Sequence, residues 1–562
     1  RRLMVAINPA KFFSSPSKLH RSVEQSIEKG ERYLAVFEKQ LQRYHSRHFM
    51  GREDGRGEDF LENHYHDWLS YIVPSTIFNN PKAKVTTKRP GSQSDTAKAL
   101  HLALARWIKD QSLRDVLIGP CVDMQFNRGV LVVSQDPIPG ATPIAGLVQD
   151  DPDETTLPHA PTVARIPQDT YFEDGVARQR PEIRFKGHIG HRDKDDLIQE
   201  AMKHPERGWN LDLVRRLTTV DTANRLRRDE SVDAQFRDEV TWFEVWVPEL
   251  ELDKFPDGRP APVKGWREHG FNGCILTIPT TAPSSAEADQ WLRAPRPYYG
   301  PPCGPYAVFG VYTVPNKIEH LSPLVVVEEQ VRDLNNHATA QSRSAKDYKR
   351  IIVVNKTNPR IVSIIKSTEH HNVAAIPGFK KEGIAQVELG GITDQQIAYH
   401  GIARDRLNRN SHMDDSRRGD VQAGQTATGI AEAAHAGDIR VGWVEECFVR
   451  GVVELLTKAL WFLFMDNRVV FPLGEEAAQE MDGAWAESQY GTEVFQSNEP
   501  WYQGGREPGE PPFEALELEV EPYSMQRTDD VARREALVNA IMQVFEMLPM
   551  IREFQEGVDW KR

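Results

Sequence analysis

The chain has 562 residues, 39% of them hydrophobic and 27% charged, a globular composition too long for a single hydrophobic core. Its formal net charge is −13, which argues against tight gripping of duplex DNA, because that affinity comes from neutralising phosphates. The four cysteines, Cys121, Cys274, Cys303 and Cys447, form no CxxC pair, so neither a structural zinc site nor a disulfide scaffold is expected, and a reducing cytoplasm fits. No signal peptide is visible at Arg1, and the most apolar stretch, Val452 to Phe464, is interrupted by Glu454 and Lys458. It falls short of the ~18 residues of a span, so a soluble protein with no membrane partner is expected.

Ser17 to His48 reads as a helix, with Leu19, Val23, Ile27, Leu34, Phe37 and Leu41 on one face. After a charged, Gly-rich loop at 51–57, a second helix runs from about Phe60 to Tyr71 and stops at Val73-Pro74, because the residue before a proline avoids the helical region. A strand follows at 82–85, then a short amphipathic helix from Ala97 to Ile108 and a strand from Val130 to Val133. Pro137 to Pro161 reads as an exposed loop rich in Pro, Asp and Gly. Residues 162–280 alternate strands with helices, and Thr241–Val247 and Gly273–Ile278 are strands. Ala294 to Pro305 reads as a Pro/Gly/Tyr connector. The fold class is therefore α+β.

The pattern then changes. Ser322-Pro323 opens a helix, with Ser as N-cap and Pro at its first position, that runs to about Tyr348. Its second half is almost wholly polar, so it lacks a clear apolar face of its own. Short strands at 351–354, 361–365 and 385–389 follow. Thr393 to Gln396 is a capping box that opens a second polar helix to about His412, carrying Arg404, Arg406 and Arg409. Ser411 to Gln425 is a polar loop containing Asp414, Asp415, Arg417 and Arg418. A long helix runs from Thr426 to about Met465, with Val441, Val444, Phe448, Val452, Leu455, Ala459 and Phe462 on one face and glycines, Gly451 among them, where it could bend. An acidic, turn-rich stretch from 469 to 522 precedes a last helix capped by Thr528.

Three strings, NHYHDWLSYIVPSTIFNNPKAKV (63–85), GPYAVFGVYTVPNKIEHLSPL (304–324) and TATGIAEAA (426–434), together with this order of elements, resemble the portal protein family of tailed bacteriophages, of the podovirus-like kind. The resemblance covers nearly the whole chain. It implies a wing at 1–320, a first stem helix at 321–349, a β clip at 350–391 and a second stem helix at 392–410. A channel loop at 411–425, a second wing part at 426–525 and a helical crown at 526–562 complete it. It also implies a ring, commonly of twelve subunits, at one capsid vertex of the virion, assembled in the host cytoplasm. The large terminase subunit and then head–tail adaptor or tail proteins would bind the clip. Major capsid and scaffolding proteins would surround the ring, and double-stranded DNA would pass through without sequence-specific binding.

Arg404, Arg406 and Arg409 then either line the channel or pair with acids such as Glu328, Glu329 and Asp333. Asp414, Asp415, Arg417 and Arg418 either face DNA or belong to an ordinary surface loop. Lys346, Lys349, Arg350, Lys356, Lys380 and Lys381 either dock an acidic motor or adaptor surface or form a solvated basic patch. The His64/His66 and His370/His371 pairs lack the HExxH or CxxC context of a metal site, and no GxxxxGK[ST] or GxSxG motif is present. The expectation is a structural channel protein without cofactor, metal or catalytic residues. Another ring-forming phage tail or adaptor protein and a metal-dependent nuclease or hydrolase are the alternatives.

Overall fold

The computed structural model describes residues 15–45, 62–87, 93–138, 144–145, 155–217, 239–248, 250, 270–280, 289–346, 349–354, 384–389, 392–411, 427–466, 468–472, 494–496, 513, 516–521 and 524–525. The expected loop at 51–57, strand at 361–365, polar loop beyond Ser411 and helix after Thr528 lie outside them. The chain is a mixed α and β protein. Among the described residues no helix is long and apolar enough to cross a membrane.

Helix α1 (Pro16–Tyr44) buries Leu19 and Val23 from its expected apolar face. Helix α2 (His64–Thr76) does not stop before Pro74 but carries it inside. A proline in the last turn removes only one ladder bond. The turn is held by Thr76 Oγ1 and Ser75 Oγ, which donate to the Ile72 carbonyl at 2.7 and 2.9 Å, and by Ile77 N–H donating to Val73 O at 2.9 Å. Strand β1 (Ala83–Thr87) is followed by α3 (Gln93–Asp110), which buries Leu100, Ala103, Leu104 and Trp107. Helix α4 (Leu113–Phe126) was not expected. It carries Pro120 inside, and Leu113, Leu117, Cys121 and Met124 bury one face. Strands β2 (Gly129–Pro137), β3 (Ile144–Ala145), β4 (Thr155–Thr156) and β5 (His159–Ile166) follow, so the expected 137–161 loop already contains a short β3–β4 ladder and the start of β5.

Next come β6 (Tyr171–Glu173), β7 (Lys186–Asp193), α5 (Lys194–Lys203), α6 (Leu211–Arg216), β8 (Glu239–Val247), β9 (Phe271–Pro279) and β10 (Arg293–Tyr299). Strands β6 to β10 form a five-stranded antiparallel meander in chain order. The expected connector at 294–305 is thus corrected, since its first half is strand β10. Pro295 and Pro297 are tolerated there because β10 is an edge strand, whose register shifts twice. Strand β11 (Tyr306–Phe309) joins β2 and β5 in a three-stranded sheet, and β12 (Tyr312–Thr313) pairs with β13 (His320–Leu321). The remaining elements are α7 (Pro323–Lys346), β14 (Lys349–Val354), β15 (Ile384–Leu389), α8 (Asp394–Ser411), α9 (Ala427–Met465), β16 (Val470–Pro472), β17 (Val494–Gln496) and β18 (Leu516–Val520). Strand β18 pairs with β1 and β17 with β16.

Two compact units result. One holds the described parts of 1–34, 69–321 and 444–562, and the other those of 35–68 and 322–443. In the first unit the meander is covered on both faces. Phe243, Val245 and Val247 of β8 pack with Leu19, Val23, Phe185, Leu276 and Ile278. The alternate residues Trp242 and Trp246 enter two other clusters, one with Leu213 and Leu292, the other with Tyr298 and Tyr306. Helix α9 buries every residue expected on its apolar face. Gly451 serves close approach: a Cβ there would lie 2.2 Å from the Phe309 ring. Lys458, which interrupts the apolar run, is fully buried. Its ammonium donates to Gly304 O at 2.8 Å and to Cys303 Sγ at 2.9 Å, with Glu454 at 3.5 Å, so the charge is solvated by the chain itself.

His320 on β13 is 7% exposed, and its Nδ1 has no partner. Burial, then the Arg180 charge, lowers its pKa to about 4 despite the opposing pull of Glu173. Between pH 6.5 and about 4 the unfolded chain takes up a proton that the folded ring refuses. Stability from this group is therefore present above 6.5 and lost as pH falls, by up to roughly 3 kcal/mol. Urea unfolding followed by tryptophan fluorescence should show that loss between pH 7 and 4, and a His320→Gln variant should show less of it.

Candidate functional site

The second unit is built on the two helices that the sequence marks as polar. Helix α7 starts as its residues dictate: the Ser322 hydroxyl accepts from Leu324 N–H at 3.0 Å, and Pro323 occupies the first position. Helix α8 starts with a complete capping box, Gln396 N–H donating to Thr393 Oγ1 at 3.3 Å and Thr393 N–H to Gln396 Oε1 at 3.1 Å. The helices pack on each other. Gln341 Nε2 donates to Gln396 O at 2.8 Å and His337 lies against Tyr399 with ring centroids 4.2 Å apart. The partner numbers rise on one helix as they fall on the other, so the helices run antiparallel. Between them the chain forms the antiparallel ladder β14–β15, in which Lys349 faces Leu389 and Arg350 faces Glu388. The described parts are a helix, a two-stranded antiparallel ladder and a returning helix.

Helix α7 is not as polar in its setting as in its composition. Leu324, Val327, Val331, Leu334, Asn335, Ala338 and Thr339 are buried. The Asn335 amide takes up a stretch of main chain, accepting from Glu62 N–H at 3.0 Å and donating to Glu62 O at 3.3 Å. Glu328 is clamped by Lys39 and Arg43 at 2.8 Å each, and Arg43 Nη1 also donates to Tyr65 Oη at 3.3 Å. Burial raises the pKa of the Tyr65 phenol, against the opposing effect of Arg43, so Tyr65 stays a neutral acceptor. This clamp was missed in the sequence. Its only local trace is the Lys39/Arg43 pair, one helical turn apart.

Helix α8 behaves differently. The stripe Gln396, Ala403 and Leu407 turns inward, Ala403 and Leu407 being buried, while most other side chains from Asp394 to Arg406 are exposed. Ile397 is 58% exposed and Ile402 49%. They lie about 140° apart around the helix, one on each flank of the stripe. Ile392, just before the helix, and Val326 on α7 are also exposed.

Arg404 and Arg406 are exposed on α8, and Arg409 belongs to the same helix although its side chain lies outside the described residues. Of the acids expected as their partners, Glu328 is held by the clamp and Glu329 pairs with Arg332. Lys346 is exposed at the end of α7. Lys349 and Arg350 sit on β14 with side chains outside the described residues. Lys356, Lys380, Lys381, Asp414, Asp415, Arg417 and Arg418 lie outside the described residues altogether, as do His370 and His371. His64 and His66 do not converge: His64 meets Glu62 at 3.2 Å while His66 stacks on Tyr44. Among the described residues no group of three or more His, Cys, Asp or Glu is placed to hold a metal ion.

Comparison with protein-family models and with curated proteins finds no match to this chain. Glu328→Gln should leave Arg43 buried without its carboxylate, at a cost of roughly 3 kcal/mol. Hydrogen exchange should then report faster opening of α7 amides, with those of β8 unchanged; equal protection in both would show that the clamp does not hold the unit.

Proposed function

We propose that the chain is a subunit of a phage portal ring, the channel through which DNA is packaged and later ejected, and that its role is structural rather than catalytic. The observation that carries this reading is α8, a well-capped helix buried along one narrow stripe, with Ile397 and Ile402 in water on opposite flanks. A head-to-tail ring needs two unlike surfaces on every copy, one for each neighbour. Exposed aliphatic side chains either side of an intramolecular seam suit that geometry, and such residues in water invite a partner. The order of helix, antiparallel ladder and returning helix is the order of stem, clip and stem that the resemblance implies.

On this reading the β14–β15 ladder, with Lys346, Lys349, Arg350, Lys356, Lys380 and Lys381, docks the large terminase subunit and then head–tail adaptor or tail proteins. Arg404, Arg406 and Arg409 and the loop residues Asp414, Asp415, Arg417 and Arg418 face the channel. The ring sits among major capsid and scaffolding proteins at one vertex of a virion assembled in the host cytoplasm. A net charge of −13 on each copy repels the DNA backbone, which favours passage over adhesion.

The purified chain should run near 770 kDa, about twelve times its 63.9 kDa, and negative-stain images should show a flanged ring with a central hole. Replacing Ile397 and Ile402 together by Glu should give soluble monomers with unchanged circular dichroism. A wild-type monomer, or rings that persist in the double variant, would count against the reading. Lys349→Glu with Arg350→Glu should leave ring size unaltered and weaken terminase capture roughly tenfold, as charge reversal at a docking rim does; capture at wild-type strength would remove the clip assignment.

A further inference from the structure

The meander also holds a polar row. On the Trp242/Trp246 face, His188, Glu244, Thr277 and Arg293 stand directly opposite one another on β7, β8, β9 and β10. Arg296 stands on the next row, opposite Ile275. The row runs between the two apolar clusters that contain Trp242 and Trp246. Thr277 is 1% exposed and its hydroxyl has no partner. The Trp242 indole N–H and Arg296 Nε are likewise buried and unpaired. Unmet hydrogen-bonding groups of this kind cost stability unless something occupies them.

The cations here are also short of anions. Arg293 lies 4.8 Å over the Trp209 ring and donates from Nε to Arg207 O at 2.7 Å, which fixes its guanidinium in place. Glu200, the neighbouring acid, is already taken by Arg192, by Arg207 at 2.8 Å and by Trp209 Nε1 at 3.2 Å. That leaves Glu244 to face two guanidiniums. Burial, then the Arg296 charge, lowers the pKa of Arg293 to about 10, as expected of two crowded cations out of water. Glu244, Arg293 and Arg296 are each partly exposed, so the row is open to solvent.

We propose that this row binds a small oxyanion, held by the guanidiniums of Arg293 and Arg296 and the hydroxyl of Thr277. Guanidinium forks match such oxygens in pairs. Glu244 on the same row only accepts hydrogen bonds. The best-matched ligand is therefore an oxyanion that keeps an O–H, as phosphate does near neutral pH and sulfate does not. The site belongs to the meander of a single chain and does not depend on ring formation.

Isothermal titration of the full chain with inorganic phosphate, at constant ionic strength, tests this. The expected result is one saturable site per chain, with sulfate bound at least tenfold more weakly. Arg296→Gln should weaken phosphate at least tenfold. Thr277→Val, which keeps shape and charge, should weaken it several-fold with the melting temperature in chloride unchanged or raised, since it removes an unmet hydroxyl, and it serves if the arginine variant does not fold. Glu244→Gln should narrow the gap between phosphate and sulfate. No saturable phosphate heat, or full affinity in both Arg296→Gln and Thr277→Val, overturns the site. Equal affinity for sulfate overturns the role of Glu244.

Discussion

A strand that alternates Phe243, Val245 and Val247 with Trp242 and Trp246 cannot leave either face in water, and the first unit is organised around that demand. Strand β8 lies in the middle of the meander, and its two faces feed three clusters. Each phenylalanine or tryptophan so buried is worth about 2–3 kcal/mol. Covering both faces has a consequence for the polar residues on them. Glu244, between the two tryptophans, is left only partly exposed, so it and the residues level with it find partners within the fold or bind something from outside.

The second unit rests on a different balance. Helix α7 joins a buried face to two polar anchors, a carboxylate between two cations and an asparagine that bonds main chain as a strand would. Helix α8 has even less burial and relies on its capping box and one inward stripe. Helices of this length are marginal alone in water. It is this sparingly buried surface that the proposed ring would use.

What the sequence made legible follows the range of the interactions. The starts of α7 and α8 depend on residues two or three apart, and both caps form as the residues imply. The buried face of α9 follows from spacing alone and is correct at every expected position. Local punctuation misled where tertiary contacts overrode it. Val73-Pro74 reads as a helix stop but Pro74 lies inside α2, and Pro295 and Pro297 read as a connector but lie on an edge strand. Gly451 reads as a hinge, yet it makes room for Phe309. The Glu328 clamp and the row from His188 to Arg293 join residues distant in sequence, and no local pattern encodes such meetings.

In the proposed ring, the placement of Ile397 and Ile402 on opposite flanks of one helix has a further bearing on assembly. Contacts of this handed kind grow by addition at two unlike ends, so a copy altered at only one isoleucine still accepts a neighbour at its other end. Such a copy would act as a chain terminator, joining a growing arc and halting it. A small admixture of it could thus spoil many closures at once, which makes this pair of side chains a point where one faulty subunit outweighs its numbers.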